Sequence, residues 1–373
     1  MQPIKILQVF TTLNRGGAET NFMNYVRQMD LKQFKFEVVV HREATGAYEQ
    51  ELHSMGIPIH RLPAITPLNY WRYQQAAKAL LINGQYDIVH SHISELSIWL
   101  LKTAKQLHVP VRIVHAHLSS VNIDLKWPIR LHWRSQLRKF ANIGFTCSYA
   151  ASKWLFKNPL QWGKIQLMRN AVNTSEWQFN LEKRNKIRDQ FGITNCINWV
   201  HVGRFNTQKN HKFLIQLFKQ FNNVHSNSNL FLLGEGNLAN EIETQIKALN
   251  LEGKVHCMGT VSNVKDYLQA MDIMVFPSLF EGLPVSIIEA QATGLPCVLS
   301  DTISKEVALL PDYVQFVGLD SPLDQWLMAI NKALALPRIN QSEAITAAGY
   351  EIQNNAKQLE AYYIQCVSKA NEY

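Results

Sequence analysis

The sequence predicts an α/β protein made of two doubly wound domains. The chain has 373 residues, more than one hydrophobic core usually serves, so two domains of ~150–200 residues each are expected. Short apolar, β-prone runs alternate with helical stretches, the rhythm of a parallel sheet covered on both faces. That rhythm breaks off in a polar segment over residues 165–196, rich in Asn, Lys and Arg, and then restarts.

The elements follow in order. Residues 4–10 form a first strand, and Asn14-Arg15-Gly16-Gly17 turns the chain into a helix over 19–29. Strands are expected at 36–40 and 57–62, with a helix over 49–55 that Gly56 ends. A helix over 70–81 leads to a strand at 87–90, closing on His90-Ser91-His92. A helix over 96–107 leads to a strand at 111–115, closing on His115-Ala116-His117. In the second half, strands are expected at 198–202, 229–233, 255–258, 273–276, 296–299 and 313–317. Helices fall at 211–222, after Gly234-Glu235-Gly236 to 249, and at 264–270, 283–292 and 323–334. Residues 342–373, poor in Gly and Pro, read as one long helix.

Composition excludes several classes. With 47% hydrophobic and 18% charged residues the chain is globular, not disordered. The five cysteines lie far apart with no CxxC pair, so neither a disulfide framework nor a zinc knuckle is indicated. The opening residues lack a basic stretch followed by a long apolar one, so they read as a strand and not a signal peptide. No apolar run approaches the ~18 residues of a membrane span.

Charge is unequally shared. Residues 1–180 hold 21 Lys/Arg against 10 Asp/Glu, whereas 181–373 hold 16 against 19. A basic first half suits an anionic surface such as lipid, polyphosphate or nucleic acid. Its densest part places Lys126, Arg130, Arg134 and Arg138 four residues apart, with Lys139 beside them and Trp127 and Trp133 interleaved. On a helix these form a basic stripe with indoles, the composition of an interfacial helix, or of an ordinary amphipathic helix packed on its own domain.

In doubly wound sheets ligands lie beyond the carboxyl ends of the strands. Gly16-Gly17, the two His-x-His pairs, Gly203-Arg204, Gly234-Glu235-Gly236 and Phe276-Pro277-Ser278 occupy those ends. Arg204 and Lys209 sit five apart across one strand-to-helix loop, where both could meet a diphosphate. Gly234-Glu235-Gly236-Asn237-Leu238-Ala239 fits G-x-G-x-x-A but lies mid-domain, which favours a mononucleotide contact or a plain turn over a dinucleotide site. Glu281 and Glu289 bracket a helix start at Gly282-Leu283-Pro284-Val285, whose free N–H groups suit phosphate. Glu289, within Ile287-Ile288-Glu289-Ala290, is expected to be partly buried and to need a partner, which vicinal ribose hydroxyls would supply. No G-x-x-x-x-G-K-[ST], G-x-S-x-G, H-E-x-x-H or D-x-D occurs, and the His-x-His pairs have no Cys or carboxylate cluster beside them, so no metal is expected.

These motifs, in this order, resemble the GT-B retaining glycosyltransferases of family 4. The resemblance rests on Gly16-Gly17-Ala18-Glu19, Gly203-Arg204 with Lys209, Gly234-Glu235-Gly236 and Pro277-Ser278. Its specific part is Glu281-Gly282-Leu283-Pro284 with Glu289-Ala290 and Gly294-Leu295-Pro296. Within the family the chain resembles enzymes of bacterial exopolysaccharide and capsule assembly. Asn170-Ala171-Val172-Asn173 stands where the family has an interdomain Asn-Gly-Val-Asp.

The resemblance implies two Rossmann-like domains with a cleft between them. Residues 1–170 would be the acceptor-side domain, 171–345 the nucleotide-sugar domain, and 346–373 a helix returning to the first domain. The donor would be a nucleotide-diphosphate sugar, UDP being the family-weighted base. Arg204 and Lys209 would neutralise the diphosphate in place of a metal, Glu289 would bind the ribose, and Glu281 would face the sugar. Gly282, Leu283, Pro284 and Val285 would give backbone N–H groups, and Gly203, Gly234 and Gly236 would line the donor. Gly16 and Gly17 would close over the diphosphate. Either His115 or His117 would lie by the donor sugar, with the loop after His117 favouring it. No cofactor is implied. Two departures stand out: Lys209-Asn210 where the family often has Lys-Gly, and Ile303-Ser304 where it often has Gly-Gly.

The leading expectation is thus a retaining, metal-independent transferase. It would act on a lipid-linked or polysaccharide acceptor, in the cytoplasm at the inner face of the membrane. Anionic lipid would meet Lys126, Arg130, Trp133, Arg134, Arg138 and Lys139. A nucleotide-sugar epimerase of the same architecture is the alternative. A basic nucleic-acid binder ranks below both because it leaves the glutamates and glycine loops idle. Neither donor sugar, linkage nor oligomeric state is legible.

Overall fold

The structure, a computed structural model, describes residues 2–119, 127–157, 162 and 165–371. The chain forms two compact units, one of residues 1–171 with 352–373 and one of 172–351.

Unit 1 opens with β1 (Ile4–Val9), α1 (Gly17–Val26), β2 (Phe34–Val40), α2 (Glu49–Ser54) and β3 (Ile59–Arg61). It continues with α3 (Tyr70–Gly84), β4 (Ile88–Ser91), α4 (Ile98–Gln106) and β5 (Val111–Ala116). Then come α5 (Trp127–Gln136), β6 (Ile143–Thr146), α6 (Tyr149–Phe156) and β7 (Gln166–Leu167). The seven strands are parallel in the order β3-β2-β1-β4-β5-β6-β7, so the order reverses between β1 and β4. Residues 6–9 of β1 are all buried, as expected of a strand covered on both faces.

Unit 2 comprises α7 (Leu181–Phe191), β8 (Ile197–Val202), α8 (His211–Val224), β9 (Ser228–Leu233), α9 (Ala239–Ala248) and β10 (Val255–Cys257). These are followed by α10 (Val264–Ala270), β11 (Ile273–Phe276), α11 (Val285–Ala292), β12 (Cys297–Ser300), β13 (Val314–Val317), α12 (Leu323–Leu334) and α13 (Ser342–Ala347). Its six strands are parallel in the order β10-β9-β8-β11-β12-β13, which reverses between β8 and β11. Asn180 caps α7 by accepting from Lys183 N at 2.7 Å. Asp272, just before β11, binds Arg184 and Arg188 and accepts from Asn198 N at 2.8 Å.

The expected single helix over 342–373 is broken in two. Gly349 adopts φ +85° and stops α13; Tyr350 O then accepts from Val172 N at 2.9 Å, and Glu351 bridges to Val172. The second piece, α14 (Ile352–Asn371), joins the core of unit 1 through Ile352, Ala356, Leu359 and Tyr363. Glu360 accepts from Asp30 N at 2.7 Å. Among the described residues no helix is long and apolar enough to cross a membrane, and all five cysteines are free thiols.

The basic stripe is arranged differently from the expected one. Lys126 lies outside the described residues. The face that α5 turns to solvent carries Pro128, Ile129, His132 and Ser135, while Arg130 and Arg134 are half-buried on its own unit. Arg134 donates to Trp154 O at 3.0 Å and lies over the Trp154 ring, Arg130 stands 3.8 Å from Glu95, and Trp133 packs edge-on against Trp99. Arg138 and Lys139 belong to a 3-10 turn after the helix and are exposed.

Candidate active site

The candidate donor site of unit 2 is built at the strand reversal between β8 and β11, where open α/β sheets bind ligands. The loops after these two strands are stitched together. Gln208 Nε2 donates to Phe280 O at 2.9 Å, Leu279 N to Gln208 O at 2.8 Å, and Asn210 Nδ2 to Pro277 O at 3.1 Å. Lys209 closes a 3-10 turn whose cap is Asn206. Its Nζ lies 2.8 Å from Glu281 Oε1 and 4.3 Å from the centre of the Phe276 ring.

Of the expected pair of cations, therefore, Lys209 is mostly buried against Glu281, while Arg204 is exposed. The glycine loop after β9 is held by backbone contact. A Cβ on Gly234 would strike Gly203 O, and one on Gly236 would strike Phe205 O. Gly234 also has φ +146°, which other residues rarely adopt.

Helix α11 starts two residues later than its expected first turn. Pro284 is its N-cap and Val285 its first residue, so Gly282 and Leu283 belong to the preceding loop. The fixed φ of proline suits the entry to a helix as well as its first turn. Glu281, in that loop, and Glu289, in the helix, are both buried.

Two histidines that sequence reasoning passed over complete this region. His201 on β8 stacks on Phe276, donates through Nδ1 to Val275 O at 3.0 Å, and lies 4.8 Å from His211 at the start of α8. Neither ring nitrogen of His211 has a hydrogen-bond partner among the described residues. Burial, aided by the Lys209 charge, pushes His211 down to about 4, so it stands neutral beside the ammonium. A polar residue inside an apolar strand was the available signal for His201.

In unit 1 the two His-x-His pairs meet across β4 and β5. His90 Nε2 is 3.1 Å from His115 Nδ1, and His92 Nδ1 is 2.8 Å from His117 Nε2. His90 Nδ1 reaches Tyr363 Oη at 2.7 Å, and His92 Nε2 reaches Gln8 Oε1 at 2.8 Å. His115 is fully buried, whereas His117 is half-buried. Burial holds all four well below the ordinary imidazole value, His117 at about 3, so all four are neutral. His90, His92 and His115 place nitrogens within 4.8 Å of one another. Both nitrogens of His90 and of His92 are already hydrogen-bonded, so the trio is built as a hydrogen-bond network and fits a metal poorly. Gly16 caps α1, and the Glu19 carboxylate folds back over it.

Residues 15–176 match the model of Glycosyltransferase Family 4, and residues 183–351 that of Glycosyl transferases group 1. EpsF of Bacillus subtilis (strain 168), named as a glycosyltransferase, is 31% identical over 362 residues, 94% of either chain. The chain belongs to glycosyltransferase family 4. The capsular polysaccharide biosynthesis glycosyltransferase CapH of Staphylococcus aureus is 26% identical, over 89% of this chain and 91% of its own. The UDP-Gal:alpha-D-GlcNAc-diphosphoundecaprenol alpha-1,3-galactosyltransferase of Escherichia coli is 26% identical, over 77% and 78%. Anabaena HepE, solved with UDP and glucose, superposes with TM-score 0.78 at 17% identity, over 97% of this chain and 100% of its own. The family-4 chain is thus a glycosyltransferase of GT-B fold, with two Rossmann-like units of seven and six parallel strands.

Both departures from the family pattern have structural reasons. Asn210 has φ +55°, a left-handed position that Asn tolerates, and its side chain is tied to Pro277 O. Ile303 is buried, and Ser304 caps the 3-10 turn Lys305–Val307 through Glu306 N.

Proposed function

We propose that this glycosyltransferase moves a sugar from a UDP-sugar, with retention of configuration and without a metal, in bacterial exopolysaccharide or capsule assembly. The observation that carries the reading is the Lys209–Glu281 pair at the strand reversal of unit 2. There a buried ammonium, the start of α8 and two glycine-lined loops surround the place a diphosphate would take. In this reading Arg204 and Lys209 stabilise the departing diphosphate, Glu289 holds the ribose, Glu281 faces the sugar, and the Gly282–Val285 backbone contacts sugar and phosphate. UDP is supported by the ligand of HepE and the name of the E. coli relative. A lipid-linked acceptor is supported by the latter, and a capsule role by the name of CapH. The exposed Arg138 and Lys139 would approach the membrane, and His117 or His115 the donor sugar.

Calorimetry with UDP, GDP, ADP and NAD, in EDTA, tests the donor half. UDP is expected to bind, and Lys209→Ala or Arg204→Ala to weaken it about tenfold, ~1.4 kcal/mol. The anomeric coupling of the product, read by NMR, tests retention. Binding of NAD alone, binding of UDP only with added metal, or conversion of the nucleotide sugar to its epimer would each overturn the reading.

A further inference from the structure

Gln8 lies in a strand otherwise apolar from Ile6 to Val9, and is almost fully buried beneath the histidine quartet. Its amide oxygen can only accept a hydrogen bond and its NH2 can only donate one, whereas a neutral imidazole does one at each nitrogen. We propose that Gln8 is a positioning residue that sets the tautomers of His92 and His117. It thereby decides which nitrogen His117 offers to the substrate. The consequence for catalysis rests on the function proposed above; the wiring does not.

One arm runs through His92. Gln8 Oε1, 2.8 Å away, accepts from His92 Nε2, which places that proton on Nε2. His92 Nδ1 is then an acceptor, so His117 Nε2, 2.8 Å away, must donate to it. His117 is left with a lone pair on Nδ1, and it is the half-buried member of the quartet. The other pair is tied elsewhere: Tyr363 Oη of α14 lies 2.7 Å from His90 Nδ1, and His90 Nε2 lies 3.1 Å from His115 Nδ1. His115 Nε2 is buried with no partner among the described residues.

The strand end thus offers an acceptor at His117, matched to the proton of a sugar hydroxyl. Turning the Gln8 amide over would move the protons of His92 and His117 to their other nitrogens.

The test is two-bond 1H–15N correlation NMR of the histidines in the full-length protein near pH 7. The wild type is expected to show all four rings neutral, with His92 and His117 protonated at Nε2. Gln8→Leu is expected to release His92 and His117 into mixed tautomers and to lower kcat at least about tenfold, with the Kd for UDP unchanged. Tyr363→Phe is expected to leave His117 unchanged. His117 protonated at Nδ1 in the wild type, or Gln8→Leu keeping the wild-type tautomers, would overturn the proposal. If Gln8→Leu does not fold, the wild-type spectrum alone decides it. Wild-type tautomers as assigned in a protein that transfers no sugar would sink the functional reading and keep the wiring.

Discussion

Asn210 shows how a residue other than glycine can hold a left-handed loop position. It takes a left-handed φ of +55° and ties the loop after β8 to that after β11. Asn210→Gly is expected to change stability by under ~0.5 kcal/mol, because the strain it relieves offsets the lost bond. Asn210→Ala keeps the strain and loses the bond, and is expected to cost ~1–2 kcal/mol, measured by urea unfolding. Gly234→Ala is expected to be worse, since its Cβ meets the Gly203 carbonyl oxygen, which cannot move aside. At this scale the sequence was partly legible. Glu281, Glu289, Lys209 and the glycines stood out by type and spacing. Gln8 did not, although a polar side chain within an apolar strand was there to be seen. What it bonds is His92, just beyond β4 and more than eighty residues away, which no local pattern encodes.

Elements were read well where periodicity is strong and poorly at their ends. The order of strands and helices follows the expectation where elements were expected, since those strands carry their own apolar runs, but β6, α6, β7 and α7 were not foreseen. The start of α11 was misplaced because proline fits both the N-cap and the first turn. Helix α5 teaches a different lesson. Its cations at spacing four do share a face, but that face is turned to Trp154 and Glu95. Spacing gives the face, whereas only tertiary packing tells which way it looks. Removing the guanidinium in Arg134→Gln should therefore lower the melting temperature and leave vesicle binding intact. Reversing the exposed pair, with Arg138→Glu and Lys139→Glu together, should do the opposite. Co-sedimentation with anionic vesicles at low salt separates the two, and equal loss of binding in both would contradict this division.

The molecule as a whole is expected to lose stability in acid. His90, His92, His115 and His117 in unit 1, and His201 and His211 in unit 2, are all held below the ordinary value of 6.5 by burial. An unfolded chain takes up protons there near that value, while the folded chain does not. The contribution to stability is complete above pH 6.5 and declines as pH falls below it. Each such histidine adds at most ~1.4 kcal/mol per pH unit to that decline. Melting temperatures from about pH 7.5 down to about 5 should be flat at first and then fall steeply; a flat curve throughout would contradict neutral, buried rings.

The chain leaves unit 1 after residue 171 and re-enters it at 352, and the backbones of Val172 and Glu351 lie paired side by side. Unit 2 is thus a self-contained loop in the path of unit 1. On a translating ribosome it can complete its sheet while unit 1 still waits for α14. The phenol that closes one arm of the histidine network is delivered only then, by Tyr363. A nascent chain halted before α14 emerges should resist protease across residues 172–351 and remain open to it around His90 and His115.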